Sequence, residues 1–151
     1  MRDTAAVSRL RTASPYLLAA LLAGAGTLHF VKPAPYDAII PSFLPAKRLL
    51  TYGSGVAELA CALALLYPRT RGPAAGVTAA LFVVVFPANV QMALDAGSTA
   101  SRVVAYARLP LQVPLVLWAL HVRRDARAGQ RRTRSASVER PSSTSGPIRS
   151  S

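Results

Sequence analysis

Residues 49–67, LLTYGSGVAELACALALLY, most constrain what this chain can become: nineteen positions that are apolar or small except for one carboxylate near the middle, Glu58. A helix of roughly 20 residues rising about 1.5 Å each crosses the roughly 30 Å hydrocarbon layer of a bilayer. The stretch therefore reads as a transmembrane helix with an acid at mid-bilayer depth. Such an acid costs on the order of 2.5 to 3.5 kcal/mol on insertion scales, so it is expected to face other helices and to find a partner there.

Three more apolar runs supply candidates. Residues 16–31 follow a basic, polar segment, 1–14, and the proline Pro15. The first run superficially resembles a secretory signal. It continues past the small residues at 23–25 to Val31, however, and further spans follow, so a retained helix is expected. In it Ala20, Ala23, Gly24 and Gly26 would allow close approach of a neighbouring backbone, with His29 pointing inward near one membrane surface.

The connection KPAPYDAIIPSFLPAKR holds prolines at 33, 35, 41 and 45, which forbid one long helix. Its apolar residues keep a helical spacing, so short interfacial or partly re-entrant turns packed on the bundle are predicted. The third and fourth spans are 74–94 and 103–122. Pro87 in the third removes a hydrogen bond and frees the carbonyl of Val83, and the adjacent Asn89 needs a polar partner. In the fourth, Arg108 and Gln112 share a face, with Pro110 and Pro114 as weak points and Trp118 and His121 near the far interface.

The expected fold is thus all-α: an integral membrane four-helix bundle over 15–122, with a proline-rich interfacial segment between helices 1 and 2. From Arg123 onward almost nothing apolar remains, and 123–151 is expected to be a disordered basic tail. A net charge of +12 on a chain that is 52% hydrophobic would fit nucleic acid only if it formed a face. Here the basic residues gather at the ends and in turns, which excludes that reading. Thirteen Lys and Arg lie on the side of both termini against five on the other, so the positive-inside rule gives an N-in, C-in, multi-pass protein of the cell membrane.

This topology brings the polar residues to similar depth. Glu58 and Arg108 differ by roughly 6 Å along the membrane normal, within reach of an arginine side chain. An ion pair between them is the expected partner for the acid. His29, Tyr52, Glu58, Asn89, Arg108 and Gln112 form the candidate polar cluster. Either it fixes helix register, or it is a ligand or proton site whose groups suit a quinone headgroup or a small polar substrate. Whether Glu58 is charged stays open, since pairing favours the carboxylate and burial the neutral acid. The lone cysteine, Cys61, excludes an internal disulfide and a Cys-rich metal site, and reads as a packing residue. There is no cofactor fingerprint and no metal-ligand spacing.

The segments AGTLHFVKPAPYDAIIPSFLP, YGSGVAELACALALL, VFPANVQMAL and RLPLQVPLVLWAL, in that order, resemble the DoxX-like family of small four-helix membrane proteins over about residues 24–121. The resemblance maps onto His29, Phe30, Pro33, Tyr36, Pro41, Pro45, Gly55, Glu58, Pro87, Asn89, Met92, Arg108, Pro110 and Gln112. It implies an accessory role in quinone-linked or thiol-linked redox metabolism, with catalysis in a partner subunit, and it assigns no catalytic residue. A small transporter or proton conductor and a non-catalytic assembly or anchoring protein are the competing expectations. Beyond the bilayer, the partners these readings admit are a redox subunit, a second copy of the chain, and anionic lipid at the basic tail.

Overall fold

The computed structural model describes residues 2–138, with side chains described over 11–135. It is all-helical, with no strand among the described residues. Four helical stretches are long and apolar enough to cross a membrane: Arg11–Val31, Lys47–Leu66, Arg71–Leu94 and Thr99–Ser135. The protein is a multi-pass membrane protein, and the apolar faces its helices turn outward belong against lipid.

The first helix, α1 (Arg2–Val31), begins earlier than expected, with Pro15 inside it rather than ahead of it. One missing N–H removes one hydrogen bond, and a helix flanked by others absorbs the loss. After Pro33 a single turn, α2 (Ala34–Ala38), forms with a proline at its start, where the missing N–H was unpaired in any case. Turns over 39–46 lead to Ala46, whose positive φ of 53° redirects the chain into α3 (Lys47–Leu66).

The third span is two helices, α4 (Arg71–Val84) and α5 (Phe86–Leu94), broken at Val85 with Pro87 in the first turn of α5. Helix α6 (Thr99–Val138) then continues unbroken past Pro110 and Pro114. It also continues past Val122, where a disordered tail was expected to begin. Ala126 and Arg127 pack beside Gly72, and Gln130 bonds to the α3–α4 turn, so its neighbours support it for further turns. Arginine, alanine and glutamine are also good helix formers. The rest of the expected tail, 139–151, lies outside the described residues.

Helix α1 packs chiefly on α3, and α4 on α6, while α3 and α4 join the two pairs. The hydrophobic core occupies the half of the bundle near the α3–α4 turn, where Leu18, Leu22, Leu65, Ala75, Phe82, Ala119 and Val122 interlock. Its residues recur at helical spacing, as on α3, where Cys61, Ala62 and Leu65 share the inward face. The other half buries polar groups instead: His29, Thr51, Glu58, Asn89 and Gln112.

Candidate functional site

Two glycines set the geometry of the polar half. A Cβ on Gly26 would stand 3.0 Å from the Gly55 carbonyl oxygen, and one on Gly55 would stand 2.8 Å from His29 Cβ. Without those carbons α1 and α3 approach backbone to backbone. That contact carries His29 against Glu58. Of the other small residues expected at this interface, Ala20 and Gly24 are exposed, because the buried stripe of α1 follows Leu18, Leu22, Gly26 and His29.

Glu58 is 9% exposed, and its nearest cationic candidate is His29, whose Nδ1 lies 3.5 Å from Oε2. That nitrogen donates to the Ala25 carbonyl at 2.8 Å, so the contact with the carboxylate is secondary. Glu58 Oε2 is left buried with no hydrogen-bond partner. The ion pair expected between Glu58 and Arg108 is not made. Helix α3 packs on α1 and α4, whereas α6 packs on α4 and α5, so similar depth does not bring the two side chains into contact.

Arg108 is exposed instead, and it shares with Glu58 the wall of a cavity of about 590 Å³. His29, Tyr36 and Asn89 line the same cavity, with Ile39, Ile40, Pro41, Phe43 and Leu44 from the connection after α2. Apart from these polar groups the wall is mostly aliphatic, as small-molecule sites are. Leu49 and Val84 also line it and are 70% and 72% exposed, so the mouth between α3 and α4 faces the lipid.

Tyr36, which sequence reasoning left out of the polar cluster, stacks on His29 with ring centroids 3.8 Å apart. Burial first, and then the Glu58 carboxylate, push its phenol above the usual tyrosine range, with Arg108 acting in the opposite sense. Its signal in the sequence was an aromatic inside a proline-rich connection. The connection is clamped by Asp37, which accepts from Thr51 Oγ1 at 2.6 Å and from Arg48 Nε at 2.7 Å.

Two residues expected in the cluster lie off the cavity wall. Tyr52 stacks on Phe30 at 5.3 Å, with the Arg48 guanidinium 5.8 Å from its ring. Six positions from Glu58 is about 600° of helix rotation, which turns Tyr52 some 120° away. Gln112 is buried beside the helix break, where it accepts from Asn89 Nδ2 at 3.0 Å and donates to the Phe82 carbonyl. A side chain of α6 thereby covers a backbone oxygen at the α4–α5 break, one residue before the carbonyl expected to be freed. Asn89 spans both roles, bonding Gln112 and lining the cavity.

No curated protein and no solved structure matches this chain significantly. A family model described as a domain of unknown function does match, over residues 18–123, a range that includes every residue of the cavity wall. The chain therefore belongs to the DUF8561 family.

Proposed function

We propose that the protein is an accessory membrane subunit of quinone-linked redox metabolism that takes a quinone headgroup into the Glu58 cavity. The observation that carries this reading is the unpartnered, buried Glu58 oxygen on a cavity whose mouth faces lipid. A diffusible, lipid-soluble carrier suits that mouth. Its carbonyl and hydroxyl oxygens match the donors and acceptors offered by Glu58, Tyr36 and Arg108. The resemblance to the DoxX-like family supports the same reading, with the reaction in a partner subunit. Thirteen basic residues against five support an N-in, C-in orientation in the cell membrane, which sets the cavity in the outer leaflet and the turns over 39–46 at that surface.

The test is saturable binding of a short-chain quinone by the purified protein, wild type beside Glu58→Gln and Arg108→Gln, each checked for helicity and melting. Since Glu58 makes no ion pair with arginine, Glu58→Gln should leave folding intact. A lost hydrogen bond to a charged group is worth about 1.5 to 3 kcal/mol, so each variant should bind roughly ten-fold to a hundred-fold more weakly. Folded wild-type protein that shows no saturable binding would overturn the proposal.

A further inference from the structure

At the other end of the bundle, a second cavity of about 800 Å³ lies between α1, the α3–α4 turn and the last turns of α6. Arg11, Arg69, Arg71 and Arg132 line it against a single carboxylate, Asp125. Its walls are pinned together. Arg11 Nη2 pairs with Asp125 at 3.3 Å, Trp118 Nε1 donates to Ser14 Oγ at 2.7 Å, and Gln130 Nε2 donates to the Pro68 and Arg69 carbonyls at 3.0 Å.

Arg71 is engaged within the fold. It donates to the carbonyls of Leu65 and Leu66 at the end of α3 and lies 5.1 Å from the centre of the Tyr16 ring. Arg69 and Arg132 remain, both exposed, with no ion pair or side-chain hydrogen bond of their own among the described residues. Two like charges on one cavity repel, and an anion between them reverses the sign of that interaction. Pro15, Tyr16 and Val122 give the same cavity an apolar wall. The turn joining two membrane spans lies at the depth of lipid headgroups.

We propose that this cavity binds the phosphate of an anionic phospholipid, held by Arg69 and Arg132, with the acyl chains leaving along the Pro15 and Tyr16 wall. The planar fork of a guanidinium matches phosphate oxygens two at a time. Charge sorting by the positive-inside rule requires arginines on one side of the membrane, but not their convergence on a cavity whose walls are bonded to one another. The site is separate from the Glu58 cavity, and its test is independent of quinone binding.

The experiment is native mass spectrometry of the full chain in neutral detergent, titrated with phosphatidylglycerol, phosphatidylcholine or glycerol 3-phosphate. Wild type is compared with Arg69→Gln/Arg132→Gln and with Arg124→Gln/Arg134→Gln, which removes the same charge outside the cavity; circular dichroism shows that all three are folded. The expected result is one retained phosphatidylglycerol per chain, bound at least ten-fold more weakly by the cavity variant and within about two-fold of wild type by the other. Equal losses in both variants, or phosphatidylcholine bound as tightly, would overturn the proposal. Glycerol 3-phosphate binding as tightly as the lipid would also overturn it, by assigning the site to a soluble phosphate ester.

Discussion

Glu58 was legible as the residue that most needs explaining, because a lone acid in an apolar helix is costly wherever it points. Its neighbour was not legible. Axial position follows from counting residues, but which helices stand beside one another does not, and the side chain that reaches it is His29 rather than Arg108. Tyr36 was left out of the polar cluster for a related reason, since its place beside His29 depends on how the proline-rich connection folds back. That connection has its own electrostatic latch. The hydrogen bond from Thr51, and then the bond from Arg48, hold the Asp37 carboxyl below the usual aspartate range. A depressed folded value means that the latch stabilises the fold above the unfolded pKa of about 3.9 and is lost as pH falls through the lower folded value. Protection of residues 33–46 in hydrogen exchange, corrected for intrinsic rates, should therefore collapse below about pH 4. In Thr51→Val the onset should move to higher pH. Protection that is the same at pH 5 and pH 3 would remove the latch.

Among elements, α1 and α3 approach backbone to backbone at Gly26 and Gly55, and the cavity depends on it because it brings His29 to Glu58. Small residues on α1 pointed to a tight interface. Their phase was set by Leu18 and Leu22, so Gly24 faces outward with nothing within 4 Å of a Cβ built on it. Gly55→Ala should therefore destabilise the protein by about 1 to 3 kcal/mol through overpacking. Gly24→Ala should be neutral or stabilising by up to about 1 kcal/mol, through helix propensity alone. Unfolding in a mixed-micelle titration separates the two, and equal shifts would mean that the glycine contact is not what joins α1 to α3. At Pro87 a lost hydrogen bond within the third span was legible, because losing an N–H has a local consequence, but the division into α4 and α5 at Val85 was not. That Gln112, on another helix, would donate to the Phe82 carbonyl at the break could not be read, since that depends on tertiary packing.

The whole molecule divides along its long axis into a packed half and a polar half. Apolar side chains interlock near the α3–α4 turn, while beyond the break at Val85 polar groups and a cavity take their place. Number of spans and membrane residence follow from hydropathy and length, which act locally along the chain. The end of α6 does not: residues after Val122 have little to bury, yet they continue the helix because Gln130 and Arg127 meet the α3–α4 turn and α4. The central claim is that the polar half houses a ligand entering from the lipid. It is tested most directly by photolabelling with an azido-quinone in proteoliposomes, followed by mapping of the modified peptides. Label concentrated on the cavity wall at 36–58 and 81–89, displaced by unlabelled quinone and depleted in Glu58→Gln, is the predicted result. Label spread over lipid-facing residues such as Leu17 and Leu117, and not displaced, would contradict it.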